Sequence, residues 1–221
     1  MTQRMIRLGG LILCALSAGC SMLAPVADRS RYYTLSAVSD APAERPSASP
    51  RQTGTGGDIV YGLGPIKLPT YLDRHEIATR ISPTEISYSP TDRWAEPLST
   101  TVASVLLQDL SALLATDRIV PYPWLDNVKA DYQIAISIVR FESDAAGASQ
   151  LTARWAVRDV RTAAYVVTKE TSLTSPSHSG DGSARAAALS AMLGDLSQEI
   201  AAALRSLPAP APAPTPSRRK P

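Results

Sequence analysis

Residues 132–141, Tyr132-Gln133-Ile134-Ala135-Ile136-Ser137-Ile138-Val139-Arg140-Phe141, set the terms on which this chain can fold. Tyr132, Ile134, Ile136 and Ile138 recur at a spacing of two, which puts them on one face of a strand. After a turn carrying Gly147, Leu151, Ala153, Trp155 and Val157 alternate with Thr152, Arg154 and Arg158. That is the pattern of an antiparallel neighbour with one wet face. The segment Tyr165 to Leu173 continues the meander. A sheet with one apolar face needs a cover, and two amphipathic segments supply it. Leu98, Val102, Leu106, Leu110, Leu113 and Leu114 trace one helical stripe, with Pro97 tolerated in the first turn. Leu189, Leu193, Leu196, Ile200, Leu204 and Leu207 trace another within residues 184–207.

Further strands are expected at Arg31 to Ser36, Ile59 to Leu68, Glu76 to Ile81 and Glu85 to Tyr88, with Ser82-Pro83-Thr84 as a turn. Arg118 to Tyr122 reads as a sheet edge because Pro121 cannot donate to a ladder. The expected fold class is therefore α/β (mixed α+β). It is a single domain, with a largely antiparallel or mixed sheet and two long amphipathic helices packed on it. Periodicity leaves open whether the helices share a face.

The chain begins with Arg4 and Arg7, an apolar run from Leu8 to Leu16, and Ser17-Ala18-Gly19-Cys20. The run is too short to span a bilayer, and small residues precede the cysteine, so residues 1–19 read as an export signal. The arrangement resembles the bacterial lipobox, which implies a diacylglycerol and an N-acyl chain on Cys20. The competing reading is a secreted protein with an incidental Cys20. Cys14 fits less well, since bulky Leu13 precedes it. Two or three acyl chains, each methylene contributing about 0.8 kcal/mol on burial, make a durable anchor. Residues 20–30 then form a lipidated tether and 31–207 the domain, interrupted by a Pro, Ser and Gly-rich loop at 39–57. Residues 208–221 form a Pro/Ala-rich basic tail expected to be disordered.

Cleavage leaves Cys20 as the one cysteine, so no internal disulfide is available. Arg4 and Arg7 leave with the signal, reducing Lys+Arg 22 to 20 against Asp+Glu 20; discounting Arg218, Arg219 and Lys220 leaves 17 against 20. A slightly acidic body argues against a nucleic-acid partner. With His 2 in the whole chain, metal and nucleophile constellations have few members to draw on. His75-Glu76 begins like a zinc-protease helix motif but lacks the second histidine one turn later. Ser177-His178-Ser179-Gly180-Asp181 holds the residue types of a hydrolytic triad, yet contiguous loop residues seldom reach triad geometry. Gly54 to Gly57 lacks the Lys-Ser/Thr and the helix of a phosphate loop. The expectation is a binding domain with no catalytic site, no metal and no cofactor beyond the lipid on Cys20.

An ordered set of short segments spans nearly all of the domain. They are Tyr32-Tyr33-Thr34-Leu35, Leu68-Pro69-Thr70-Tyr71-Leu72-Asp73-Arg74, Arg93-Trp94-Ala95-Glu96-Pro97-Leu98, Ala130-Asp131-Tyr132, Arg140-Phe141-Glu142 and Ala153-Arg154-Trp155. In order and spacing the set resembles the ABC-type transport auxiliary lipoprotein family, the PqiC-like proteins. His75 departs from the proline often found there, and the Pro-Ala tail is extra. The resemblance implies a lipid-anchored component at the periplasmic face of the outer membrane, in an intermembrane phospholipid transport system. It implies as partners a periplasmic MCE-domain tunnel protein and its ABC permease/ATPase complex, and it leaves room for a homo-oligomeric ring. Ser21, in place of an aspartate, is consistent with outer-membrane delivery. A structural envelope lipoprotein binding cell wall or another scaffold is the alternative.

For a docking role, Tyr71, Leu72, Arg74, Arg93 and Trp94 carry the aromatic and arginine content of interface hot spots. The same residues serve equally as structure, with Trp94 stapling the helix to the sheet and Arg93 pairing with Glu96.

Overall fold

The computed structural model describes residues 28–38, 59–124, 129–177 and 181–208. The expected signal peptide, Cys20, most of the tether, the loop at 39–57, His178 and the basic tail beyond Pro208 lie outside the described residues. The chain divides into two compact units, Met1–Ser30 and Arg31–Pro221. In the first, the Ser30 N–H donates to Asp28 Oδ1 (2.9 Å), and the second holds the sheet and both helices.

Its strands are β1 Arg31–Tyr33, β2 Tyr61–Lys67, β3 Glu76–Ser82, β4 Glu85–Trp94, β5 Ile119–Pro121, β6 Tyr132–Asp144, β7 Ser149–Asp159 and β8 Tyr165–Thr174. The helices are α1 Leu98–Leu114 and α2 Gly182–Arg205. The eight strands form one mixed sheet around β6. Along one side of β6 run β7 and then β8, both antiparallel. The other side is shared: parallel β2 takes the first half, with β5 beyond it, and β3 joins at Ser143 and Asp144, followed by β4 and β1. β5 is an edge strand, as Pro121 requires.

Local chemistry sets the hairpins. Between β6 and β7, Gly147 sits at φ 85 and Asp144 Oδ1 accepts the Ala148 N–H (2.9 Å). A three-residue hairpin loop asks for a left-handed residue at that place. Between β7 and β8, Asp159 Oδ1 accepts the N–H groups of Arg161 (2.8 Å) and Thr162 (3.1 Å), an Asx turn. In β2 the register slips between Leu63 and Ile66, and Gly64 at φ 125 makes the slip possible. A side chain there would also meet Cβ of Tyr122 at 2.6 Å.

The two helices pack on each other and on the same face of the sheet, α1 over β2 and β5, α2 over β6, β7 and β8. Buried Leu98, Val102, Leu106 and Leu110 of α1 and Leu189, Leu193, Leu196 and Ile200 of α2 meet Ile134, Ile136, Leu151 and Trp155 in one core. α2 starts where the sequence offers a cap: Asp181 accepts the Ala184 N–H (2.7 Å). The Asp of the triad-like run is thus a helix cap.

After β1 the chain lies across both helices as a strap. Leu35 and Ala37 are buried; the Ser36 N–H donates to Ser190 Oγ (3.1 Å) and the Val38 N–H to Asp109 Oδ1 (2.8 Å). Strand β4 runs to Trp94, past the expected end at Tyr88, because β1 adds in parallel along Asp92, Arg93 and Trp94. Pro90 is tolerated because β1 does not reach it.

Candidate docking surface

The turn after β2 carries the first group of expected interface residues. Thr70–Leu72 form a single 3-10 turn, closed by the Asp73 N–H donating to the Thr70 carbonyl (3.1 Å). Leu72 points into the core at 3% exposure. Tyr71 is half-buried and turned toward β6, where its hydroxyl donates to Glu142 Oε2 (2.8 Å).

Glu142 is the centre of a polar lock. Its carboxylate is only 3% exposed. Oε1 receives Nε of Arg80 (2.6 Å), while Oε2 receives the Tyr71 hydroxyl and the Phe141 N–H (2.9 Å). Nε of Arg140 stands 3.8 Å from Oε1, and its Nη1 donates to Gln150 (2.7 Å). A buried carboxylate is tolerable only when so paired and hydrogen-bonded. Burial pushes the Tyr71 hydroxyl up to about 12, reinforced by its bond to Glu142 and opposed by Arg80. Tyr71 therefore stays a hydrogen-bond donor throughout the neutral range. The turn is further tied to β4 by the Tyr88 hydroxyl, which donates to the Tyr71 carbonyl (3.1 Å).

The remaining expected residues divide by burial. Trp94 is 4% exposed and belongs to the core; its N–H donates to the His75 carbonyl, and the following Ala95 N–H to the Tyr33 carbonyl (2.8 Å). It fastens the strand leading into α1. Arg93 is half-buried and pairs with Glu76 (3.3 Å), its cross-strand neighbour, where sequence proximity had suggested Glu96. Arg74 is exposed, reaches the same Glu76 (3.3 Å) and lies over the Tyr88 ring at 4.4 Å. Its cation gains from the ring's negative face. The structure thus gathers Tyr71, Arg74 and Arg93 around the β3–β4 side of the sheet, with Leu72 and Trp94 beneath them. The Glu76 carboxyl sits below its usual range, held there by its own backbone N–H, then by Arg74 and, more weakly, Arg93.

Sequence reasoning noted Arg140-Phe141-Glu142 as a motif without giving Glu142 or Arg80 a role. A signal was present. Continuing the alternation of Ile134, Ile136 and Ile138 would turn Arg140 inward and Phe141 outward. The structure avoids this with a register shift between Ile138 and Arg140, which buries Phe141 and leaves Glu142 in the lock. A second lock lies under β8. Trp155 Nε1 donates to Thr171 Oγ1 (2.9 Å), whose hydroxyl donates to Glu199 Oε2 (2.6 Å), and Lys169 completes the ring at 3.4 Å. Both networks hold elements together.

The model of a protein family described as the ABC-type transport auxiliary lipoprotein component matches residues 33–201, from the end of β1 to within α2. Two crystal structures share the fold. One, of an uncharacterised protein, is 15% identical with a TM-score of 0.62, covering 79% of this chain and 98% of that one. The other, of a protein from Xanthomonas campestris, is 19% identical with a TM-score of 0.62, covering 78% of this chain and 93% of that one. The PelC dodecamer from Paraburkholderia phytofirmans is a weaker likeness at 17% identity and a TM-score of 0.42, covering 69% and 91%. No curated protein matches the chain.

Proposed function

For this chain, which belongs to the ABC-type transport auxiliary lipoprotein family, we propose the role of a docking component in an MCE/ABC-type intermembrane phospholipid transport system. It is held by the lipid on Cys20 at the periplasmic face of the outer membrane. There it receives the periplasmic end of an MCE-domain protein whose ABC permease and ATPase supply the energy. The chain itself performs no catalysis. The observation that carries this reading is the family match, which runs from Tyr33 through most of α2 and so takes in strap, sheet and both helices.

Rigidity at the β3–β4 side supports it. Tyr71, Arg74 and Arg93 are held by Glu142, Tyr88 and Glu76, so a partner would meet them with little further loss of side-chain freedom. In this reading Tyr71, Arg74 and Arg93 touch the partner, while Leu72 and Trp94 keep their backbone in place. Affinity capture of the lipoprotein from detergent-solubilised envelopes is the test. Recovery of an MCE-domain protein with its permease and ATPase is expected, as is membrane release by Cys20→Ala. Recovery of cell wall or scaffold proteins without an MCE protein would overturn the reading in favour of a structural lipoprotein.

A further inference from the structure

Both α-helices cover one face of the sheet. The alternation that buries Ile134, Ile136, Leu151 and Trp155 beneath them sends the residues between to the opposite face, which neither helix covers. Small side chains, Ala135 and Ser137 of β6 and Thr152 and Ala156 of β7, keep the middle of that face shallow. Basic side chains stand around them. Arg154 and Arg158 project from β7, Arg140 from β6, and exposed Lys67 from the end of β2 in register with Ser137.

Their charge is incompletely matched. Lys67 and Arg158 make no ion pair among the described residues. Arg158 spends Nε on the Ala163 carbonyl (3.2 Å), which leaves both Nη groups for another acceptor. Arg140 shares Glu142 with the closer Arg80, so one carboxylate serves two cations. Arg154 holds Glu170 in an exposed pair, which contributes little in water. The body of the chain, without signal and tail, has more acidic than basic side chains, so positive charge is concentrated here against the overall balance.

The ladder fixes the spacing of these cations. Lys67, Ser137 and Arg154 lie in one row across β2, β6 and β7. Two strand spacings, about 10 Å, separate Lys67 from Arg154, and four residues of β7, about 13 Å, separate Arg154 from Arg158. The face is continuous with the docking surface, because Glu142, beside Arg140, also receives the Tyr71 hydroxyl. A face that rests on a bilayer carries large apolar side chains to sink below the headgroups. Here the middle is alanine, serine and threonine, and the cations are chiefly arginine, which protein interfaces favour over lysine.

We propose that the open face of β6 and β7 extends the docking surface and binds an acidic protein surface, whose carboxylates meet Lys67, Arg154 and Arg158 at those spacings. Arg158 takes its carboxylate through both Nη groups. Charge complementarity of this kind speeds encounter and fixes orientation more than it adds affinity. The inference rests on the docking reading above for the identity of that protein, the MCE-domain partner.

The test uses the full lipoprotein in detergent and that partner. Association rates are measured over a range of salt, and the reactivity of Lys67 toward a water-soluble acetylating reagent is read by mass spectrometry. Partner binding is expected to shield Lys67. The Lys67→Gln/Arg158→Gln variant is expected to associate at least about threefold more slowly at low salt, the gap closing as salt screens the charges, with melting unaltered. The control, Ala187→Glu/Gln198→Glu, makes the same change in net charge at exposed positions of α2 and is expected to keep the unmodified rate. Three results overturn the inference while leaving the docking role intact: the first variant associates at the unmodified rate, the control slows as much, or Lys67 stays reactive in the complex. Shielding of Lys67 by phosphatidylglycerol vesicles without the partner makes a lipid surface the occupant and also overturns it. Failure of the unmodified protein to capture any MCE-domain protein removes the docking reading and this inference together.

Discussion

Replacing Arg80 by methionine isolates what burial does to an ion pair in this fold. Nε of Arg80 lies 2.6 Å from Glu142, and the two side chains are 19% and 3% exposed. Nε of Arg154 lies at the same 2.6 Å from Glu170 on the outer face of β7 and β8, but those side chains are 70% and 52% exposed. Distance is thus held constant while solvation changes. Breaking a buried pair by removing one partner costs about 3–5 kcal/mol, because a desolvated charge is left behind. Here Glu142 keeps the Tyr71 hydroxyl, the Phe141 N–H and Arg140 at 3.8 Å, which places Arg80→Met at or just below the lower end, at about 2–3 kcal/mol. Arg154→Met frees a solvated carboxylate and should cost less than about 1 kcal/mol. Urea denaturation of both variants, with Glu142→Gln and the Arg80→Met/Glu142→Gln double variant, completes the cycle. A coupling of about 1–3 kcal/mol is expected, since the two residues share a network. Equal costs for Arg80→Met and Arg154→Met would refute the argument that burial, not separation, makes the Glu142 lock matter.

Three further outcomes follow from the same structure. Tyr71 ionises at about 12 in the fold and near 10.0 when exposed, so its contribution is complete below pH 10 and is lost as pH climbs toward 12; burial raises Tyr61 and Tyr132 in the same direction. Tyr71→Phe should therefore lose less stability between pH 9 and 12 than the unmodified protein, and parallel urea midpoints over that range would contradict the assignment. Gly64→Ala places a side chain at φ 125 against Tyr122 and should cost about 1–3 kcal/mol in a thermal melt. Leu193→Ala, at a fully buried position between α2 and the sheet, should cost about 2–5 kcal/mol; a loss under 1 would mean that α2 is not seated on the core as described.

Much of the architecture was legible because it depends on near neighbours in sequence. The alternation in residues 132–138 and 151–157 marks strands whose inward residues are buried in the structure. The leucine stripes of α1 and α2, the turn at Gly147 and the edge at Pro121 are equally local signals. The surface expected for docking was only partly legible. Composition singled out Tyr71, Leu72, Arg74, Arg93 and Trp94 together, and the fold turns Leu72 and Trp94 inward. Aromatic content says that a residue buries area; it does not say whether the covering surface belongs to the same chain. Arg93 illustrates the same limit, since Glu96 is its neighbour in sequence but Glu76 is opposite it across the ladder.

Strand and helix positions and the apolar face of each follow from patterns that repeat within a few residues, and the family resemblance from an ordered set of short segments. The placing of β2 and β3 beside β6 and the closure of Glu142 by Tyr71 and Arg80 come from contacts between residues 62 to 71 positions apart. Period and turn chemistry restrict one segment at a time, so they leave pairing partners open. Those partners are settled when the whole chain buries its aliphatic surface at once and each buried polar group must still find a hydrogen bond.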